Sequence, residues 1–230
     1  CFGNYEKDKF KQFSSIVDYC YPVGSLLGGY YKYNTNGKNV LKKYDIGIIS
    51  QFSNNVAILM KQSMNVMHSF LERYISKYKL EAAIFLRTVS SNTDETVFFE
   101  KFYQYEIDYI YQVSESNRFN NRSEMTTYVG MDESEIVVSF ASTASIEAFA
   151  WGKKILHCDF TGTNKYNDYD PMIMFTEPNY DSFEKRLNEL RKEPYDEYRK
   201  RTKDYASYLM NNDPDCPPHI YIRNKIVDYL

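Results

Sequence analysis

Three hydroxyl side chains, Ser142, Thr143 and Ser145, stand close together in the segment SEIVVSFASTASIEAFAWGKKILHCDF, which spans residues 134–160. They follow a β-rich apolar run and open a short helical pattern that also contains Glu147. The free N–H groups and the dipole at the start of a helix favour an anion, and hydroxyl groups there can donate to phosphate oxygens. The pattern therefore predicts that this hydroxyl cluster contacts phosphate and that Glu147 accepts hydrogen bonds from a ribose.

Ordinary helix capping is the alternative role for the hydroxyl cluster. One Ser or Thr is enough to cap a helix, so capping accounts for one hydroxyl but not for three. A capping box needs Glu or Gln three residues after the cap. Ser142 has Ser145 at that position and Thr143 has Ile146, so Glu147 is not the box partner of either. The sequence therefore favours nucleotide contact over capping alone.

The segment belongs to an alternation of apolar runs and helical patterns between Leu41 and Leu190. The runs are almost continuously apolar, as expected for strands that are covered on both faces. Strands that alternate with helices at this spacing indicate a parallel sheet. We therefore predict an α/β fold, a doubly wound Rossmann-like parallel sheet followed by C-terminal helices. Its six strands are predicted at residues 44–50, 82–88, 108–114, 135–140, 153–160 and 171–177.

Several local signals predict where the helices lie. The run Ser53-Asn54-Asn55 is typical of a helix start, and Thr93 with Asp94 can cap another helix. A short helix is predicted near residues 123–128. Further helices are indicated by apolar residues at helical spacing, namely Phe183, Leu187 and Leu190, then Tyr198, Thr202, Tyr205 and Leu209. Residues 221–230 predict a closing helix.

The two ends of the chain differ from this central alternation. Residues 1–40 are predicted to be the end of a preceding domain and a linker, with a strand within residues 14–26. Residues 41–210 are predicted to form a nucleotide-sugar-binding Rossmann-like domain, and residues 211–230 a closing helix that packs back toward the preceding domain. Because the chain begins at Cys1 rather than at methionine, we expect it to be a piece of a longer protein.

Other residues at the predicted strand ends could complete a ligand site, because open parallel sheets bind ligands beyond the carboxyl ends of their strands. Ser50 and Gln51 end the first strand, where small polar groups stand at a helix start. Arg87 ends the second strand and is equally suited to a phosphate contact or a surface ion pair. Ser114 and Glu115 end the third, where a base or a sugar edge would lie.

The sequence lacks the motifs of several common nucleotide-binding and metal-binding sites. The chain has neither a GxGxxG fingerprint after a strand nor a GxxxxGK phosphate loop. His68, His157 and His219 share no metal-ligand spacing, and His157 is interpreted as a core residue. The DYD sequence at residues 168–170 follows a polar stretch rather than an apolar strand, so it is interpreted as a loop. We predict no metal site and assign no catalytic residue.

Composition and charge argue against a nucleic-acid-binding protein and a membrane-spanning protein. The chain has 230 residues, a net charge of −3 and a pI of about 5.7, which argues against nucleic acid as a partner. No apolar run approaches the roughly 18 residues of a membrane-spanning helix. The cysteines show no CxxC pair or zinc spacing and fit a reducing cytoplasm: Cys1, Cys20, Cys158 and Cys216.

Two segments carry a resemblance to a known family. DESEIVVSFASTASIEAFAWGKKIL, residues 132–156, resembles the donor-binding segment of GT-B glycosyltransferases, and is most similar to bacterial surface-carbohydrate enzymes, including the Kdo-transferase-like group. YPVGSL, residues 21–26, followed by KYDIGIISQ, residues 43–51, resembles that group's crossover from the first domain to the second. The resemblance implies two Rossmann-like domains with a cleft between them, of which this chain would be the C-terminal, donor-binding half.

The resemblance also implies roles for individual residues. Ser142 and Thr143 match a Ser/Thr pair that grips the donor phosphate, and Glu147 matches the carboxylate that binds ribose. The His-Pro pair found after the second strand in related enzymes is absent, because Thr88 follows Arg87 here. The donor is therefore left open between CMP-linked and UDP-linked sugars.

The function expected from these observations is metal-independent transfer of a sugar from a nucleotide-sugar donor to a surface polysaccharide or glycolipid. The partners would be the donor, a glycan or glycolipid acceptor and the N-terminal GT-B domain of the same protein. The reaction would take place in the cytoplasm, free or at the inner face of the membrane. Two alternatives remain at this point: a nucleotide-sugar epimerase of GT-B-like fold, and a non-catalytic GT-B-like binding module.

Overall fold

The computed structural model describes residues 1–13, 20–35, 40–55, 57–88, 90–91, 93–103, 107–112, 125–163, 169–213 and 215–228. Within them, six strands form one sheet in the order β3-β2-β1-β4-β5-β6, and every neighbouring pair is parallel. The strands are β1 Tyr44–Ile49, β2 Ala82–Phe85, β3 Asp108–Ile110, β4 Ser134–Ser139, β5 Lys154–Cys158 and β6 Met174–Phe175. This arrangement confirms the predicted Rossmann-like α/β fold.

Helices flank the sheet on both faces. Val137 and Val138 are neighbours in β4 and both are fully buried, although successive strand residues point to opposite faces. Both faces are therefore covered, as the continuous apolar runs predict. The helices are α1 Asn4–Phe13, α2 Leu26–Thr35, α3 Ile58–Tyr78, α4 Asp94–Glu100, α5 Thr126–Glu133, α6 Thr143–Ala150, α7 Tyr180–Lys192, α8 Tyr195–Leu209 and α9 Pro218–Asp228.

The local helix signals had mixed outcomes. Thr93 caps α4 as predicted, and it forms a capping box in which Thr96 takes the place of the usual Glu. The predicted start of α3 is wrong, because Asn54 and Asn55 form a turn and the helix begins only at Ile58. Ser53 accepts from the Asn55 N–H at 3.4 Å, so its side chain serves this turn instead of capping the helix.

The ends of the chain pack against the domain. Helix α1 contacts α8, and α2 contacts α9. The strand predicted within residues 14–26 is wrong for the part that the structure describes, since residues 20–25 form no strand and α2 begins at Leu26. The closing helix begins at Pro218, earlier than predicted. Over the described residues, no helix has the length and apolar character needed to cross a membrane.

Candidate functional site

The strand order reverses between β1 and β4, and this reversal defines the crevice in which doubly wound sheets bind ligands. The two strands are paired in register from Tyr44 opposite Ser134 to Ile48 opposite Val138. Their carboxyl ends therefore lie side by side, and the loops that follow them form the crevice. Helix α6 begins directly after the β4 loop, with Thr143 as its first residue.

Ser142 and Thr143 place two hydroxyl groups at the start of α6. Ser142 occupies the N-cap position with extended backbone angles, φ −117° and ψ 123°, yet its side chain makes no capping hydrogen bond. Ser142 is buried, and Thr143, one position further on, is exposed. Capping therefore does not account for the hydroxyl at the N-cap position, and α6 presents its positive end beside the crevice.

Ser145 lies inside the protein. It is fully buried, and its hydroxyl donates to the Ser142 carbonyl at 2.7 Å. The same oxygen is 3.1 Å from Nδ1 of His157, a buried residue of β5. In this structure Ser145 joins the first turn of α6 to the neighbouring strand, so the third hydroxyl of the cluster has a packing role that the sequence pattern did not reveal.

A carboxylate of the chain itself occupies the loops after β1 and β2. Glu95, in the first turn of α4, is 5% exposed and accepts from the backbone N–H groups of Arg87 and Thr88, at 3.0 Å and 2.9 Å. The Ser50 hydroxyl also donates to this carboxylate. Ser50 is therefore committed to an internal contact, and the N–H groups of Arg87 and Thr88 in the loop after β2 already have an acceptor. Sequence reasoning missed Glu95, although its place two residues after the Thr93 cap was a usable signal.

The remaining predicted residues differ in their exposure. The Arg87 guanidinium is exposed, with one nitrogen 3.4 Å from the Phe52 carbonyl oxygen. Gln51 is half-buried in the loop after β1. Ser114 and Glu115 lie outside the described residues. The structure thus brings Gln51 to the β1 side of the crevice, with Ser142 and Thr143 on the β4 side.

Glu147 faces another helix. Its Oε1 accepts from the hydroxyl of Ser25 at 2.8 Å, and the same hydroxyl accepts from the Gly28 N–H at 3.0 Å, which caps α2. Glu147 is 6% exposed, and this burial raises the pKa of its carboxyl group. The hydroxyls of Tyr128 and Ser25 act in the opposite direction and lower it. The carboxylate predicted to bind ribose therefore fastens α6 to the start of α2.

The approach of α2 to Glu147 is close because residue 28 is a glycine. A methyl group at Gly28 would lie 3.0 Å from Glu147 Oε2 and 3.1 Å from the Trp151 ring. Contacts this short force neighbouring atoms to move. Helix α2 therefore covers the carboxylate and leaves no room for a ribose between the two helices.

Aromatic rings and one ion pair hold α2 further along its length. Tyr31 stacks on Tyr128 with ring centroids 5.5 Å apart, and Trp151 lies 5.7 Å from Tyr31. Lys32 forms an ion pair of 2.6 Å with Asp132, which also accepts from the Tyr31 hydroxyl at 3.0 Å. These contacts make α2 an integral layer of the domain beside α5 and α6.

His68 in α3 and His157 in β5 are buried, and His219 lies half-buried in α9. The described part of the chain holds no group of three or more His, Cys, Asp or Glu side chains arranged for a metal ion. Burial lowers the pKa of His68 to about 3, and its Nδ1 lies 2.8 Å from the Tyr103 hydroxyl. In the DYD sequence, Asp170 accepts from the Met172 N–H at 2.7 Å, a local loop contact, while Asp168 lies outside the described residues.

Comparisons with known proteins identify no relative. No protein-family model matches the chain, and no curated protein matches it.

Proposed function

We propose that this chain is the donor-binding part of a metal-independent glycosyltransferase with a GT-B-like architecture. It would bind a nucleotide sugar for transfer to a surface polysaccharide or glycolipid. The observation that carries the proposal is the start of α6, which opens beside the β1–β4 crevice with a Ser142 hydroxyl that makes no capping bond and an exposed Thr143. We also propose a cytoplasmic location, because the cysteine spacing in the sequence fits a reducing compartment.

We assign the donor phosphate to the start of α6 because its N-cap hydroxyl makes no capping bond and Thr143 is exposed there. Helix α3, which follows β1, has Ala57 at its N-cap and offers no hydroxyl at that position. Glu95 already accepts from the loop N–H groups near α4, and a phosphate there would meet a buried carboxylate. At α6, helix N–H groups and two hydroxyls can bind phosphate oxygens without a metal ion. Gln51 lies across the crevice and is suited to contact the nucleoside.

Glu147 is left out of the proposed ligand contacts. Its carboxylate is held by Ser25 and covered at Gly28, so a ribose could reach it only if α2 moved away. The ribose contact is therefore assigned to no residue of the chain.

The experiment is a thermal-unfolding screen with CMP, UDP, GDP, TDP and their sugars. A ligand that binds only the folded chain and is present at about 100 times its Kd stabilises it by about 2.7 kcal/mol. We expect one nucleotide class to raise the Tm and the others to leave it unchanged. Absence of any shift across the screen would reject the proposed donor site.

The double substitution Ser142→Ala with Thr143→Ala tests the site itself. Each hydrogen bond to a charged phosphate is worth about 1.5–3 kcal/mol, so we expect nucleotide affinity to fall at least about tenfold. Stability should change little, because the Ser142 side chain makes no capping bond. Calorimetric titration and denaturant unfolding measure the two effects.

Thr93→Ala is the matched control, because it removes a hydroxyl that does cap a helix, α4. We expect it to lower the free energy of unfolding by about 1 kcal/mol and to leave nucleotide affinity unchanged. If the double variant binds nucleotide as tightly as the original chain, the α6 hydroxyls do not contact the donor.

A further inference from the structure

A cavity of about 430 Å³ opens at the amino edge of the sheet, on the side opposite the proposed donor crevice. Lys42 precedes β1, Asp132 precedes β4 and Lys153 precedes β5, so these residues share one edge of the parallel sheet. Volumes of roughly 300–1,000 Å³ are typical of small-molecule sites. The charged residues that line the cavity are four cations and two acids: Lys32, Lys42, Lys153, Arg199, Asp132 and Asp213.

Two of the four cations are neutralised by carboxylates of the chain. Lys32 pairs with Asp132 at 2.6 Å. Lys42 lies 3.3 Å from Oε2 of Glu135 and also donates to the Ser134 carbonyl at 2.7 Å. These two lysines therefore contribute little net charge to the cavity.

The other two cations, Lys153 and Arg199, have no carboxylate oxygen within 4.0 Å among the residues that the structure describes. Lys153 is 6% exposed, and its amino group donates to the Asp132 carbonyl at 2.8 Å. Burial, followed by the nearby charge of Lys42, lowers the pKa of Lys153 to about 6. Near neutral pH Lys153 is therefore largely an amine while the cavity is empty, and it keeps an N–H group beyond the one given to Asp132 that can donate into the cavity.

Arg199 lies at the rim of the cavity. It is exposed, and its Nε is 3.4 Å from the Gly152 carbonyl oxygen, a weak contact that leaves most of the guanidinium edge available. A guanidinium presents several N–H groups in one plane and suits the oxygens of a phosphate. The half-buried Trp151 ring supplies an apolar wall beside these charges.

We propose that this cavity is a second ligand site that binds a phosphate monoester, with Lys153 and Arg199 as its charged contacts. The negative charge of a bound phosphate would favour the ammonium form of Lys153, so that binding takes up a proton, and it would pair with the Arg199 guanidinium. The Asp213 carboxylate, which also lines the cavity, accepts from the N–H groups of Asp215 and Cys216. The ligand's organic part would lie against Trp151. The site shares no residue with the donor crevice, so it goes beyond the proposed function.

The test is a calorimetric titration of the full chain with glycerol 3-phosphate, in chloride buffers of constant ionic strength. Arg199→Gln is compared with Lys200→Gln, which removes the same charge from an exposed neighbour on α8 that does not line the cavity. We expect Arg199→Gln to weaken binding about tenfold or more and Lys200→Gln to leave it unchanged. Lys153→Met, which replaces the buried amino group with an apolar side chain, is expected to abolish binding.

A lipid headgroup could supply the same phosphate chemistry, so a second arm uses phosphatidylcholine vesicles with and without phosphatidic acid. Arg199-dependent binding of glycerol 3-phosphate assigns a soluble ligand, and Arg199-dependent binding only to vesicles with phosphatidic acid assigns a lipid. The second site would be overturned if Arg199→Gln and Lys200→Gln had equal effects on binding. It would also be overturned if neither arm showed binding at about 1 mM phosphate monoester. Nucleotide titration of the Arg199→Gln and Lys153→Met variants separates the two sites, since neither residue lies in the donor crevice.

Discussion

Glu147 shows how a carboxylate can look like a ligand contact in sequence and serve packing in the folded chain. It stands near the start of a helix that follows a strand, which is where a ribose contact is expected. Its side chain is instead enclosed by Ser25, Gly28 and Tyr128, and burial raises the pKa of the carboxyl group. A carboxyl group with a raised pKa weakens folding once it ionises, and this has a measurable consequence.

We expect Glu147→Gln to gain stability relative to the original chain as the pH rises. Below the ordinary pKa of a glutamate, both folded and unfolded states hold the proton and the charge has no effect. As the pH rises from that value through the higher pKa of the folded state, the original chain loses stability and the glutamine variant does not. Thermal unfolding at pH 4 and pH 7 measures the difference in Tm.

Glu184→Gln is a control for which the expected change of stability with pH has the opposite sign. Hydrogen bonds from Lys77 and Tyr78 lower the pKa of the Glu184 carboxyl group. The charged form therefore stabilises the folded state above the ordinary pKa, and the glutamine variant should lose stability relative to the original chain as the pH rises. A Glu147→Gln variant that behaved like Glu184→Gln would contradict the buried location of Glu147.

The sequence predicted the position of the hydroxyl cluster but could not assign separate tasks to its members. Ser142, Thr143 and Ser145 share similar side chains, and their roles depend on which way the first turn of α6 faces. That orientation follows from packing of α6 on β5, where His157 meets Ser145. The packing contact of Glu147 could not be predicted for the same reason, since its partner Ser25 lies far away in the chain.

At the scale of the elements, Glu95 connects three segments of the carboxyl edge. From α4 it reaches the end of β1 through Ser50 and the end of β2 through the N–H groups of Arg87 and Thr88. A buried acceptor that serves several donors stabilises a loop region in place of regular secondary structure. The spacing between these loops is thereby fixed beside the proposed crevice.

Glu95→Ala should destabilise the chain by about 3 kcal/mol. The substitution leaves the buried Ser50 hydroxyl and the part-buried N–H groups of Arg87 and Thr88 without this acceptor. A buried donor without an acceptor costs about 1–3 kcal/mol, and water partly relieves this cost at the two N–H groups. Denaturant unfolding measures the free energy change.

Asp94→Ala is the matched control on the preceding residue. Asp94 is exposed and accepts from the Asn54 side chain at 3.0 Å, so its loss should cost less than about 1 kcal/mol. Similar costs for the two substitutions would show that Glu95 does not connect the loops.

Element boundaries were predictable where one local interaction decides them. Thr93 caps α4 through its own side chain, and the apolar spacing of α7 and α8 reflects a single buried stripe. The start of α3 was not predictable, because Ser53 and its neighbours suit a turn as well as a cap. Helix α2 was missed because its glycines and tyrosines have weak helix propensity, and packing against α5, α6 and α9 stabilises it.

At the scale of the whole molecule, the order of apolar strands and helices was sufficient to predict the fold. Right-handed crossover connections leave few ways to arrange six parallel strands. The amino-edge cavity could not be predicted, because Lys32, Lys153 and Arg199 come from separate parts of the chain. No sequence motif links them, and the fold alone brings them to one cavity.

Nucleotide binding should not depend on a divalent metal. In the proposed crevice, the α6 N–H groups and the hydroxyls of Ser142 and Thr143 would bind the phosphate without a bridging metal ion. We expect the same affinity with and without EDTA by calorimetry, and we expect Asp168→Ala combined with Asp170→Ala to be tolerated. Loss of binding in EDTA, restored by Mn²⁺, would instead favour a metal-bridged donor.

The central pair of strands also has a kinetic consequence. β1 pairs with β2 on one side and with β4 on the other, and β4 follows only after α3, β2, α4, β3 and α5. During synthesis, β1 is therefore made well before β4, and the backbone groups on its β4 side stay unpaired until β4 is added. The apolar side chains of Ile46 and Ile48 lie in this same strand. Long-range parallel pairing is slow, and an open apolar edge invites association between chains. Refolding yield should accordingly fall as protein concentration rises, and a chaperone that shields β1 until β4 arrives should restore it.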